Sequence, residues 1–221
     1  MISLDDSKKY MLTTENINQW YSNKIQTTKS EEKNKIKKPI IADNSDTLFW
    51  AFYSILYGDQ EYEINHNFQT EKKFKIKCIE DLRKIKSNLK TFKLKLNIIE
   101  DQLLNSKRIN IQALLGLALL FKKNILYVWN RKCFEFICSE EDNIYIINNN
   151  DNEPVSYNTD ATNIKYYKEN FLQIENIDKP IRAASGYSKE ELLIMTQKLE
   201  IKNINPKTTK NILYQEILQK M

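Results

Sequence analysis

The feature that most constrains this chain is a short, almost wholly apolar segment bounded by helix-start and helix-stop residues. Residues 43–46 supply consecutive Asp, Asn and Ser side chains that suit a helix N-cap. A run with hardly any polar side chain follows, and Gly58 stands where a helix commonly ends on glycine. A helix that is apolar on every side has to be buried. We therefore predict a central, buried helix over residues 47–57.

Hydrophobic spacing predicts further helices and then strands. Apolar residues three or four apart predict a long basic helical stretch over residues 71–104, and Asn110 caps a second very apolar helix at 111–122. Three strand patterns follow, at residues 125–129, 133–137 and 144–147, the first two joined by a hairpin turn at residues 130–131. The predicted fold class is α+β: central buried helices packed on a small antiparallel sheet, with a C-terminal helix–loop–helix module.

Changes in composition divide the chain into three predicted parts. Residues 1–38 are an N-terminal arm and linker, because residues 26–38 are almost entirely polar. Residues 39–178 form the α+β domain. After Pro180, two capped helical patterns predict a separate helical module over residues 179–221.

The charge of the chain gives only modest information about its partners. The 221 residues carry a formal net charge of +5, and the basic residues are 30 lysines against 4 arginines. With 29 isoleucines and 25 asparagines, this bias matches A/T-rich codons and predicts an AT-rich genome, such as that of a large DNA virus. Because codon bias alone supplies lysine, the positive charge is a weak indication of an anionic partner.

Several classes of protein are disfavoured by what the sequence lacks. No apolar run approaches the roughly 20 residues of a membrane-spanning helix, and the first residues do not resemble a signal peptide. We therefore expect no membrane partner and a location in the host cytoplasm or the virion. With His66 as the only histidine and Cys78, Cys133 and Cys138 outside any CxxC pair, we expect no metal site and no cofactor.

The apolar segment carries a family resemblance. Leu48-Phe49-Trp50-Ala51 and Leu56-Tyr57-Gly58-Asp59 stand at the mutual spacing of two motifs of the ovarian-tumour (OTU) deubiquitinases. The segment thus resembles the nucleophile helix of papain-like cysteine proteases, and most closely that of the OTU family. Together with the helix and hairpin over residues 113–137, the resemblance covers roughly residues 40–140. It implies a papain/OTU-like fold whose helix would place a thiolate at its N-terminus, where the helix dipole lowers the thiol pKa.

The resemblance leaves two alignments of the nucleophile open. In the first, Thr47 stands in place of the cysteine, next to Asp46 in the turn before the helix. In the second, Ala51 stands there, one turn further along. Neither residue is a thiol, and no histidine stands near Lys132 or Cys133, where the resemblance implies the general base. A capped, buried helix without any catalytic role explains the same pattern.

The C-terminal part carries a second, shorter resemblance. Leu192, Leu199, Ile201, Lys210, Leu213 and Ile217 match the pattern of SAP and Rho-N-like helix–loop–helix domains. Those domains often bind nucleic-acid backbones through the loop and the start of the second helix. The resemblance therefore implies Lys202, Lys207 and Lys210 as nucleic-acid-binding residues, since lysine and free helix N–H groups suit phosphates. A helix pair that serves only for packing fits the pattern equally well.

Two functions of different classes follow from the sequence. The first is a viral papain/OTU-like protein that is inactive as a protease and binds a peptide or ubiquitin-like partner. The second is a non-enzymatic, nucleic-acid-associated or virion structural protein. Both are intracellular, and both leave the chain without cysteine protease activity.

The tail gives a prediction that tests the second function. Replacing Lys207 and Lys210 by Glu should weaken DNA and RNA binding uniformly across sequences and flatten its salt dependence, because contacts to phosphates are lost. Filter binding over a range of salt concentrations measures both effects. Unchanged binding in the double variant, or no binding by the wild type at low salt, would leave the tail as a protein-docking element.

Overall fold

The computed structural model describes residues 46–141, 143–151, 153–202 and 208–221. The predicted N-terminal arm, residues 1–38, and the candidate residue Lys207 lie outside these ranges. All of the described residues belong to one compact unit, Lys38–Met221. The predicted division of that unit near residue 178 stays a prediction.

The described residues form nine α-helices and five strands, so the predicted α+β class is confirmed. The helices are α1 Thr47–Tyr57, α2 Asp59–Asn65, α3 Phe68–Lys84, α4 Lys86–Thr91, α5 Leu96–Asn105, α6 Ile111–Leu120, α7 Ala161–Asn170, α8 Lys189–Lys198 and α9 Lys210–Lys220. The strands are β1 Asn124–Trp129, β2 Lys132–Phe136, β3 Ile144–Asn148, β4 Ser156–Asn158 and β5 Leu172–Gln173.

The predicted central helix is α1. It begins after Asp46, whose side chain caps it, and ends before Gly58, which has a φ of 88° that suits glycine. Eight of its eleven residues, Leu48 to Ile55, are buried. They pack with α6 and with one face of the sheet in the main hydrophobic core. The opposite face of the sheet packs against Ile164, Tyr167 and Phe171 in and just after α7, so β1 is buried on both sides.

The sheet is mixed, which corrects the predicted antiparallel arrangement. Its strand order is β4-β3-β1-β2-β5; β1 pairs with β2 and β3 with β4 in antiparallel fashion, while β1–β3 and β2–β5 are parallel. The predicted hairpin turn is confirmed: Asn130 and Arg131 both have positive φ, 39° and 65°, as a two-residue hairpin turn requires.

The parallel pairing of β3 depends on one buried amide. After β2 the chain crosses the beginning of β1, and the side chain of Asn124, the first residue of β1, holds the crossing segment from inside. Its Nδ2 donates to the carbonyls of Ser139 (3.2 Å) and Glu141 (2.7 Å), and its Oδ1 accepts from the N–H groups of Cys138 and Ser139. The chain therefore starts β3 beside the beginning of β1 and runs parallel to it.

The predicted long helix over residues 71–104 is divided among α3, α4 and α5. The break after α4 occurs because Lys93 takes a left-handed conformation, with φ 59°, and the Leu94 N–H bonds back to the carbonyl of Leu89 at 2.9 Å. This is a Schellman helix end, which normally has glycine at the left-handed position. The same ending closes α6, at Lys122 (φ 53°), and α8, at Glu200 (φ 53°).

The C-terminal helices α8 and α9 pack on the end of the sheet. Their shared apolar face consists of five buried residues: Leu192, Met195, Leu199, Leu213 and Ile217. This cluster also includes Leu172 and Ile174 and is joined by Trp129 and Phe134. Lys132, a buried residue of β2, also joins the sheet to the end of α9 by hydrogen bonds. Its Nζ donates to the backbone oxygens of Lys220 (2.9 Å) and Met221 (3.0 Å).

The burial of α1 predicts a large effect of truncating Phe52. Its side chain is fully buried and packs 6.1 Å from the ring of Phe121. Phe52→Ala should lower the free energy of unfolding by about 3–5 kcal/mol, because it leaves a cavity in the core. Urea denaturation measures the change. Phe68→Ala is the matched control: Phe68 is 70% exposed, so its loss should cost less than about 0.5 kcal/mol. Equal costs would contradict the central position of α1.

Candidate functional site

The start of α1, where the resemblance implies a nucleophile, is occupied by a buried ion pair. Asp46 is 1% exposed. Its Oδ2 lies 2.7 Å from Nζ of Lys75 and also accepts the N–H of Ile109 at 3.0 Å, while its Oδ1 accepts the N–H of Phe49 at 3.2 Å. The carboxylate thus joins the start of α1 to α3 and to the segment before α6.

Lys75 extends this pair into a network. Its ammonium also lies 2.7 Å from Oε1 of Glu71, one turn earlier on α3, and 4.9 Å from the centre of the Phe49 ring. The second oxygen of Glu71 accepts Nε1–H of Trp50 at 3.2 Å. The buried lysine therefore has two carboxylates and an aromatic face around it, which compensates the loss of hydration of its charge. We refer to Asp46, Lys75, Glu71 and Trp50 as the α1 network.

Burial raises the pKa of the Asp46 carboxyl above its ordinary value, although the Lys75 ammonium and the two backbone N–H groups oppose that rise. A carboxylate that is out of contact with solvent and already accepts three donors is unsuited to act on a substrate. In this structure the candidate site residue Asp46 has the geometry of a structural residue.

The structure separates the two candidate nucleophile positions. Thr47 is partly exposed and lines a cavity of about 350 Å³ at the start of α1. The cavity is lined by Thr47, Leu48, Arg108, Ile109 and residues 149–151 and 153–155. Ala51 does not line it and is fully buried in the core. Of the two alignments, only the one that uses Thr47 therefore places the residue at a cleft.

The thiols and the single histidine lie elsewhere. Cys78 and Cys133 are buried, and burial raises their pKa values to about 12 and about 11. Cys138 is half-buried, and burial raises its pKa as well. None of the three lines the cavity beside Thr47. The His66 ring packs against Trp50, with 4.7 Å between ring centroids, and against Tyr62, at 4.8 Å.

Sequence reasoning missed Asn149, one of several polar residues that line this cavity. Asn149, directly after β3, lines the cavity, and its Nδ2 donates to the Tyr127 hydroxyl at 2.7 Å. Burial raises the pKa of that hydroxyl. Asn149 is one of three consecutive asparagines and has no distinguishing neighbour in the sequence. Its position becomes visible only once β3 is placed parallel to β1.

The candidate nucleic-acid-binding residues of the tail are only partly described. Lys202 is exposed, and Lys210 is half-buried as the first residue of α9. The N-cap of that helix, Thr209, makes no side-chain hydrogen bond to it. Their role in nucleic-acid binding stays a prediction.

A cavity of about 560 Å³ in the described part of the chain was not predicted from the sequence. It is a groove beside β2, and we call it the β2 groove. Its lining consists of residues 92–94, Gln112, Leu115, residues 134–137 and residues 175–178. Two aromatic rings in this lining, those of Phe92 and Phe136, contact one another at 5.2 Å.

Neither a metal cluster nor a membrane-spanning helix occurs within the described ranges. They contain no group of three or more His, Cys, Asp or Glu side chains that could hold a metal ion. Nor does any described helix combine the length and apolarity needed to cross a membrane. Comparisons of this chain with protein-family models, with curated proteins and with solved structures find no match.

The α1 network yields a prediction about stability. Lys75→Met should lower the free energy of unfolding by about 3–5 kcal/mol, because it leaves the Asp46 carboxylate buried without a counter-ion. The double variant Asp46→Asn/Lys75→Met should lose less than the sum of the two single variants. A double-mutant cycle in urea measures this coupling.

A surface ion pair gives the control for that cycle. Lys84 and Asp81 lie 2.6 Å apart, and the Lys84 side chain is 72% exposed. Lys84→Met should cost less than about 1 kcal/mol, because solvent screens the pair. Similar costs for Lys75→Met and Lys84→Met, or additive effects in the cycle, would contradict a central role for the buried pair.

Proposed function

We propose that this chain is a non-catalytic binding protein of papain/OTU-like architecture, which holds a peptide or ubiquitin-like partner without cleaving it. One observation carries the proposal: the place at the start of α1 where a cysteine protease needs its thiolate holds Thr47, and the adjacent Asp46 is enclosed in the α1 network. A helix N-terminus activates a thiol by lowering its pKa, but it does not make a threonine hydroxyl a comparable nucleophile without a base.

The thiols of the chain support the same proposal. A cysteine nucleophile reacts as its thiolate, and the raised pKa values of Cys78 and Cys133 leave almost no thiolate near neutral pH. Two features remain that favour binding over catalysis. They are the cleft beside Thr47 and the larger β2 groove.

Cysteine-directed probes test the catalytic half of the proposal. The wild type should neither cleave a fluorogenic ubiquitin substrate nor form an adduct with a ubiquitin vinyl-sulfone probe. With iodoacetamide near neutral pH, Thr47→Cys should be labelled at residue 47, because the new thiol faces the cleft at the start of α1. Ala51→Cys is the matched variant and should be labelled only on unfolding, because residue 51 is fully buried. Peptide mapping by mass spectrometry locates each adduct and separates it from any reaction at Cys138.

The binding half requires a direct titration. Ubiquitin and unmodified peptides are titrated separately into the isotope-labelled protein. At least one of these two ligands should produce saturable shifts of the backbone amide signals in its NMR spectrum. Turnover of the ubiquitin substrate by the wild type would overturn the proposal in favour of an active enzyme. Labelling of Ala51→Cys in the folded protein, with Thr47→Cys unreactive, would instead reverse the assignment of the cleft position.

A further inference from the structure

The outer edge of β2 is only partly covered. β5 pairs with β2 at Lys132 and Cys133 alone. The carbonyls of Arg131 and Cys133 accept hydrogen bonds from the N–H groups of Leu172 (3.0 Å) and Ile174 (2.8 Å). The backbone groups of Arg131 and Cys133 therefore point towards the outer edge of β2. By the alternation of a strand, the next backbone groups on the edge belong to Glu135, beyond the pairing with β5.

The β2 groove opens where the chain leaves that edge. After Ile174, residues 175–178 diverge from β2, and the Gln112 side chain of α6 donates a hydrogen bond to Asp178 at their far end. The space left between β2, residues 92–94 and residues 175–178 is the cavity of about 560 Å³. An uncovered strand edge beside a groove is the geometry in which an extended peptide adds to a sheet.

The two faces of β2 present different chemistry to such a peptide. Phe134 and Phe136 lie on one face, next to Phe92 and Leu115 of the groove lining, and form an apolar floor. Glu135 lies on the other face, is exposed, and pairs with Lys168 at 2.6 Å. Side chains of an added strand would likewise alternate between the two faces. The side chains on one face of the added strand would contact the aromatic rings of Phe134 and Phe136, and those on its other face would lie near the Glu135 carboxylate.

The charges of the lining favour a basic occupant. Glu135, Glu175 and Asp178 line the groove, whereas Lys93 is its only basic lining residue. Asp178 lies 3.9 Å from Lys95 outside the lining, and Glu175 makes no ion pair within the described residues. Because Glu135 and Asp178 already lie beside lysines, Glu175 is the lining carboxylate with which a basic residue of an occupant can pair.

We propose that the β2 groove binds an extended peptide segment in which apolar residues alternate with Lys or Arg, and that this segment adds to the outer edge of β2 as a further strand. This inference rests on the proposed function and names the partner class and its place. Backbone hydrogen bonds to β2 hold the segment, the aromatic floor receives its apolar residues, and the carboxylates select its basic residues.

A synthetic probe tests the inference on the full chain. The probe is a fluorescein-labelled, C-terminally amidated octapeptide of alternating Lys and Val, and its binding is measured by fluorescence anisotropy. It should bind saturably, and more weakly as salt rises. The same peptide with Glu in place of Lys should not bind measurably. A version with N-methyl groups on alternate residues should also lose binding, because it can no longer donate the hydrogen bonds of a strand.

Variants with matched controls place the binding site. Glu175→Lys should raise the Kd about tenfold by reversing a lining charge, and Ile137→Asp, at an exposed lining residue, should do the same. Glu63→Lys and Ile194→Asp make the same changes at exposed residues outside the groove and should leave the Kd unchanged. All four positions are exposed, so folding is retained and is checked by circular dichroism.

The outcomes separate this inference from the proposed function. Saturable binding that neither groove variant weakens, or equal binding of the Glu peptide, would overturn the β2 groove as the site while leaving a non-catalytic binding protein in place. No binding of the Lys–Val probe would overturn the inference as well. Turnover of the ubiquitin substrate, in contrast, would overturn the proposed function without bearing on whether the Lys–Val probe binds at β2.

Discussion

The buried ion pair between Asp46 and Lys75 is the interaction on which the rest of the structure depends. One carboxylate caps α1, meets an ammonium from α3 and accepts the N–H of Ile109, directly before the cap of α6. Three segments that contribute to the main core, or lie directly beside it, are therefore joined through a single side chain. Apolar packing alone is indifferent to small rotations of a helix that is apolar on every side, such as α1. A directional, buried polar contact supplies the specific orientation that such a helix lacks.

The same contact decides how the start of α1 can be used. In a cysteine protease of the resembled type, this place is kept open for a thiolate and for the substrate. Here the carboxylate beside it is saturated and buried, and the cleft is bordered by Thr47 and the amide of Asn149. The uncovered edge of β2 is formed by a different part of the chain. Binding of a partner at this edge would therefore not involve the side chains that stabilise α1.

Local signals in the sequence are sufficient to predict several helices and strands, but not how the strands are arranged in the sheet. The caps at Asp46 and Asn110 and the hairpin turn after β1 each act within a few residues, so α1, α6 and the β1–β2 pair could be predicted. The parallel entry of β3 depends on Asn124 meeting a segment fifteen residues away, and no local pattern marks it.

Lys75 carries a sequence signal for a buried charge. Lys75, Cys78, Ile79 and Leu82 follow the spacing of one helix face, and all four are buried. A lysine within an apolar stripe indicates a buried charge that needs a partner. The partner itself, Asp46, could not be identified, because the pairing joins residues 29 positions apart in the sequence. The β2 groove likewise has no sequence signal, since it results from where residues 175–178 leave the strand.

The three Schellman ends at Lys93, Lys122 and Glu200 have a consequence for the stability margin of the protein. A residue with a Cβ in the left-handed region is strained by about 1 kcal/mol relative to glycine. Three such ends together cost about 3 kcal/mol, against the 5–15 kcal/mol by which a typical domain is stable. A chain with only 3 glycines has none at these ends. The absence of glycine at these ends thus lowers the free energy of unfolding. A single glycine at any one of the three positions would raise it.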